Sequence, residues 1–164
     1  MKIYIGADHA GYELKEKLKV FLSELGHDVE DKGAHKFDPE DDYPDFIRAV
    51  AEAVSKDSEH SRGIIIGGSG QGEAMAANKV PKVRAALFYG ARIPYEAADI
   101  KGRESLDPFE IVILARRHND ANVLSLGARF IVESEAKKAV DLWLSTPFEG
   151  GRHQRRVEKI DANG

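Results

Sequence analysis

Apolar positions along the chain repeat with two periods, and together they predict strands alternating with helices. Lys2 to Gly6 is strand-like and runs into the polar turn Ala7-Asp8-His9-Ala10-Gly11. Leu14, Leu18, Phe21, Leu22 and Leu25 then recur at helical spacing, with Gly26 where a helix C-cap belongs. Val29 anchors a short strand over 27–31, and 32–42 is polar loop. A second helix starts near Pro44, a residue suited to a first helical turn, and buries Ile47, Val50, Ala51 and Val54.

Gly63-Ile64-Ile65-Ile66 is the least polar short run, as a central strand covered on both faces requires. Arg84 to Phe88 reads as the next strand. Gly90 to Pro108 is irregular, with a short helix expected over Tyr95–Ile100. Phe109 to Arg117 is read as helix, although Ile111-Val112-Ile113-Leu114 suits a strand equally. Val123 to Gly127 is a fifth strand; Ala136, Ala139, Val140, Trp143 and Leu144 mark one face of a long helix that stops before Pro147; a basic tail follows. Five strands separated by helices imply an α/β fold, an open parallel five-stranded sheet with helices on both faces, Rossmann-like. Ligands of such sheets bind beyond the carboxyl ends of the strands, the rim where Asp8, His9, the residues after Ile66, and Arg129 fall.

The 164 residues suit one domain spanning 1–164, with a basic tail from about 147. Apolar residues at 42% and charged ones at 32% are ordinary for a soluble globular protein, and no apolar run approaches bilayer-spanning length. The first residues enter a strand without a signal-peptide pattern, so the cytoplasm is the expected location. With no cysteine in the chain, disulfides, thiolate catalysis and cysteine-ligated metals are excluded. A net charge of −4 argues against broad nucleic-acid binding and leaves the basic cluster near the C-terminus for a small anion.

The chemistry concentrates in Gly67-Gly68-Ser69-Gly70-Gln71-Gly72-Glu73, between the apolar strand and the helix-favouring Ala74-Met75-Ala76-Ala77-Asn78-Lys79. Glycines let backbone N–H groups approach a ligand, and a helix start adds partial positive charge, so the loop suits an anion. Glu73 stands where a P-loop has Lys and where a dinucleotide loop has its third glycine, so neither signature is met. An acid there points to catalysis; a tight turn with a solvated glutamate is the plain alternative.

Taken with Asp42-Tyr43-Pro44, His118-Asn119-Asp120, Leu126-Gly127-Ala128-Arg129 and Glu149 to Arg156, these motifs make the chain resemble the type B ribose 5-phosphate isomerase family, which also contains galactose 6-phosphate isomerase subunits. The resemblance runs in order from about residue 2 to residue 160. It implies aldose–ketose isomerisation through an enediolate, without metal or organic cofactor. Many members carry a catalytic cysteine where this chain has Gly67; another branch uses a glutamate four residues after the loop's Ser or Thr, the arrangement of Ser69 and Glu73. The resemblance thus implies Glu73 as base, Ser69 with the N–H groups of Gly70, Gln71 and Gly72 as oxyanion hole, and His118 as the ring-opening group. Asn119 contacts sugar hydroxyls, Asp8 and His9 hold the substrate, and Tyr43 lines its pocket. Arg152 and Arg156, four apart, share a helical face and clamp the phosphate with His153 and Arg129. Asn78 supports the loop.

The resemblance further implies a homodimer or a dimer of dimers with active sites shared between subunits. Residues 91–109 are longer than the ordinary family pattern and are read as an insertion. Three functions follow: isomerisation of ribose 5-phosphate with ribulose 5-phosphate; the same chemistry on a hexose 6-phosphate such as allose or galactose 6-phosphate; or a non-catalytic sugar-phosphate-binding subunit, against which Glu73, Ser69 and His118 together argue.

Overall fold

A computed structural model describes residues 1–162. The elements are β1 (Lys2–Ala7), α1 (Tyr12–Glu24), β2 (Asp28–Asp31), α2 (Tyr43–Lys56), β3 (Ser61–Gly67), α3 (Gln71–Ala77), β4 (Ala85–Phe88), α4 (Glu110–Asn119), β5 (Val123–Gly127), α5 (Glu133–Ser145) and α6 (Arg152–Asp161). The five strands form one sheet in the order β2-β1-β3-β5-β4, with every pairing parallel. Since β1 leads outward to β2 while β3 leads the other way, the strand order reverses between β1 and β3. A crevice opens at such a reversal, beyond the carboxyl ends of the strands.

The central position of β3 explains its sequence. Ile64 and Ile66 pack into the core on one face, with Leu18, Leu22, Val140 and Trp143, while Ile65 packs on the other with Ile47, Val50 and Val54. Alternation across a strand thus becomes a continuous apolar run when both faces are covered.

Two expectations fail. No helix forms over 95–100: the N–H of Ala98 donates to the carbonyl of Arg103 and that of Gly102 to Asp99, which closes a reverse turn at Gly102, whose φ is +80°. Conversely the basic tail ends in α6, because His153 and Val157, four apart, bury one face of an otherwise exposed segment. The segment over 109–117 is helical, as α4, with the buried Val112 and Ala115 facing the sheet and Ile111 exposed.

Lys15 is fully buried in α1. Its ammonium donates to both oxygens of Asp31, at 2.9 and 2.8 Å, and to the carbonyl of Ala34. These bonds pin residues 31–34 beside the end of β1, where Ala7 and Ala34 exchange a further bond. Lys19 also reaches Asp31, at 2.6 Å, so Lys15→Ala leaves that carboxylate one cation, but it strips the buried Ala34 carbonyl of the Lys15 donor and empties the space of a fully buried side chain, and should lose about 3 kcal/mol of unfolding free energy. Urea denaturation reads this directly, and a loss under about 1 kcal/mol would show the pair to be dispensable.

Candidate active site

The glycine loop leaves β3 at the carboxyl edge and turns at once into α3. Gly70, at φ +76°, is the left-handed N-cap of that helix, and its carbonyl accepts from the Ala74 N–H, 3.0 Å, and from the Ser125 hydroxyl, 2.6 Å. The stretch after β5 ties down the rest: Ala128 N–H donates to Gly67 and Arg129 N–H to Gly68. Ser69 Oγ accepts from the N–H of Gln71.

Glu73 lies in the first turn of α3 and is 4% exposed. It folds back over Gly67, and a Cβ at that glycine would sit 1.8 Å from Glu73 Oε1. Burial pushes its carboxyl above the ordinary 4.5, with the negative charge of Asp8 adding to the rise; nearby backbone N–H groups and Arg129 pull the other way. The Arg129 guanidinium lies over Gly68 and the Tyr43 phenol against Gly72, each within about 3 Å of where a Cβ would be. Buried Asp8 accepts from the Gly11 N–H. His9 Nδ1 lies 2.7 Å from Asp41 Oδ1, which also accepts the His9 backbone N–H; that hydrogen bond raises the imidazole's pKa. Asp41 was not singled out from the sequence, where three consecutive acids, Glu40 to Asp42, gave no way to choose among them. Its second oxygen is buried with no hydrogen-bond partner.

His118 and Asn119 end α4, and α4 runs back toward the amino edge of the sheet before β5 begins. His118 stacks on buried His153, ring centroids 4.1 Å apart and planes within 6°. Burial lowers the His118 pKa, and His153 lowers it further. Arg152 donates to His153 Nε2, and Glu149, held by its N–H to the carbonyl of Arg117, lies 3.8 Å from His118 Nε2. These side chains line a cavity of about 320 Å³. Arg156 stands one turn further along α6, exposed and outside that lining. Asn119 lines a separate cavity, with Asn78 and Arg84. Asn78 exchanges two bonds with the backbone of Ala85, which braces α3 against β4.

Apart from Asn119 and Arg156, the predicted site residues therefore fall into two groups. Asp8, His9, Tyr43, Ser69 to Gly72, Glu73 and Arg129 surround the switch point; His118, Arg152 and His153 gather beside α4 and α6. Among the described residues no hydrogen bond or ion pair joins one group to the other. Two sets of three potential metal ligands each lie within 4.8 Å, His118 with Glu149 and His153, and Asp8 with His9 and Asp41. In the first set the parallel rings cannot both aim an in-plane lone pair at one ion.

Fold and site together define a doubly wound α/β protein with a buried carboxylate at the switch point. The chain belongs to the Ribose/Galactose Isomerase family, whose model matches residues 3–101 and 107–160. It is 43% identical to the probable ribose-5-phosphate isomerase B of Mycoplasma genitalium, over 96% of this chain and 92% of that protein. It is 40% identical to ribose-5-phosphate isomerase B of Escherichia coli, over 98% and 95%. The fold matches the crystal structure of the M. genitalium enzyme with bound ribulose-5-phosphate at a TM-score of 0.86 and 42% identity, covering 99% of this chain and 95% of that one. Ribose-5-phosphate isomerase B of Clostridium thermocellum matches at 0.84 and 42%, over 99% and 97%.

Because burial raises the folded-state pKa of Glu73, its ionisation opposes folding: the stability of the protonated form is complete below about 4.5 and is lost as pH rises through the raised value. Glu73→Gln should therefore melt higher than wild type at pH 8, with the gap closing as pH falls toward 4.5. A gap of the same size at both ends of the range would remove burial of charge as its cause.

Proposed function

We propose that the protein interconverts ribose 5-phosphate and ribulose 5-phosphate, with Glu73 as the base. The observation that carries this reading is Glu73 itself, a carboxylate buried against a glycine loop with its pKa raised toward the range where a base works well. In the forward step Glu73 takes the C2 proton of the open-chain aldose. The C–H electron pair forms the C1–C2 double bond as the carbonyl pair moves onto O1. Return of the proton to C1, with loss of the O2 proton and protonation of O1, leaves the ketone at C2.

The other groups supply what this sequence of transfers needs. Ser69 and the N–H groups of Gly70, Gln71 and Gly72 serve the enediolate oxygen, those of Gly70 and Gln71 by leaving the Glu73 carboxyl and Ser69 Oγ that they meet in the free protein. Neutral His118 can take and return the proton that opens the sugar ring. Asp8, His9, Tyr43 and Asn119 hold the sugar, while Arg129, Arg152, His153 and Arg156 neutralise the phosphate.

His118 and Glu73 lie at opposite edges of one sheet, so a working site needs a second copy that brings its His118 to this chain's glycine loop. Exposed apolar residues at the β4 edge and beside α4, including Tyr89, Ile93, Ile111 and Phe130, suit such contact. The assembly is a homodimer, or a dimer of dimers, with shared sites. A net charge of −4 disfavours broad nucleic-acid binding, and no helix among the described residues is long and apolar enough to cross a bilayer. A doubly charged sugar phosphate does not leak through a membrane, which puts the work in the cytoplasm.

Glu73→Gln should lower kcat for ribose 5-phosphate by at least about a thousandfold while the sugar phosphate still binds. Near-normal turnover in a purified assay would sink the assignment. The acid limb of the wild-type kcat/KM profile should lie above pH 4.5, since the base must be ionised. Subunit sharing has its own measurement: mixed and reassociated Glu73→Gln and His118→Ala chains should recover about a quarter of wild-type activity, because half the random dimers hold one intact site of two. No recovery beyond that of the separate variants would place both groups in one subunit.

A further inference from the structure

The connection over 91–109, of which the family model leaves only 102–106 unmatched, is anchored more firmly than a solvated bulge requires. Its two ends meet where the Arg92 N–H donates to the Pro108 carbonyl, at 2.7 Å. Its turn is wound about Asp99, whose Oδ1 accepts the N–H groups of Lys101 and Arg103 and whose Oδ2 accepts from the Arg103 side chain. Arg103 also pairs with Glu110, a carboxylate 2% exposed in the first turn of α4, and Glu110 accepts the Ser105 hydroxyl as well. A buried carboxylate at the root of a surface loop costs desolvation, which is offset here by bonds that set the orientation of the loop.

That orientation carries Asp99 and Lys101 onto the wall of the cavity that holds His118, Arg152 and His153. The charge of Asp99 is already met by Arg103 and by backbone N–H groups, whereas the Lys101 ammonium has no protein partner among the described residues. Resting on the isomerase reading above, we propose that Lys101 is a substrate-binding residue, a cation that the connection from β4 to α4 adds to the phosphate pocket beside Arg152. Because it travels with His118, it enters the site of the opposite subunit. Asp99 is a positioning residue, holding the turn that aims Lys101. The ligand chemistry is a phosphate monoester dianion, and the unphosphorylated end of the sugar is untouched by this contact.

The test compares full-length wild type, Lys101→Met and Lys101→Arg by steady-state kinetics with ribose 5-phosphate. A second readout is thermal protection of each protein by inorganic phosphate, which requires no turnover. Lys101→Met should raise KM about fivefold with kcat moved less than about twofold, weaken phosphate protection to match, and lose most of the difference from wild type at high salt. Lys101→Arg should restore both. Unchanged KM and phosphate protection in Lys101→Met, or equal loss in Lys101→Arg, would overturn the proposal. If wild type fails to isomerise any pentose phosphate while Lys101→Met alone loses phosphate protection, the isomerase reading fails and the Lys101 contact stands.

Discussion

The burial of the Glu73 carboxyl against Gly67 is the constraint on which the rest of the site depends. A helix start favours an ionised carboxylate, and nearby backbone N–H groups act in that direction; burial opposes them and prevails, so the pKa rises. The outcome rests on geometry that only glycine allows, because a Cβ at residue 67 would occupy the place of the carboxyl oxygen. A side chain at residue 67 and a carboxyl folded onto that position are therefore alternatives in this loop, and the sequence holds the second. The loop keeps its shape because the carbonyls of Gly67 and Gly68 are taken by the segment that follows β5, the strand paired beside β3. Central sheet pairing thus reaches the acid–base group through two backbone bonds.

The parallel sheet also explains why the polar groups divide. Every strand delivers its following residues to one rim, whereas a crossover helix ends at the other. His118 closes a crossover helix and so cannot share a rim with Glu73 in the same chain. Its surroundings differ accordingly: burial and the neighbouring His153 hold it toward the neutral form, while His9 at the other rim is held toward the charged form by Asp41. Asp120 contributes to neither. It ends α4 at φ +45° and joins Arg116 to Arg84, so its part in the motif that contains His118 is structural.

Period and punctuation made most of the fold legible. Strands buried on both faces, the alternation with helices, and Pro44 and Pro147 as boundaries needed only local physics. The loop over 90–108 was not legible, because its turn is fixed by contacts between Asp99, Arg103 and Glu110 that no periodicity announces. The basic tail hid α6 for a related reason: two buried side chains at helical spacing, His153 and Val157, are a weak signal among charges. At the site, the sequence marked Glu73 by its odd place in a glycine loop. It gave no sign of Asp41, whose selection from three neighbouring acids depends on where the loop over 32–42 brings it against His9.

These observations bear on where such a protein can change without losing its chemistry. The loop at β3 is tightly constrained while Glu73 lies over it: a Cβ at Gly67, Gly70 or Gly72 would stand 1.8, 2.6 or 2.8 Å from a neighbouring atom. The connection from β4 to α4 is under no comparable restriction, since β4 is an edge strand and the connection lies outside the sheet. Length added there runs beside α4 and reaches the His118 cavity without touching the Glu73 loop. Residues so far apart in one chain contribute independently unless assembly brings them together. Variation in the connection is therefore felt at the cavity wall beside His118, while the packing of Glu73 against Gly67 is set within its own loop.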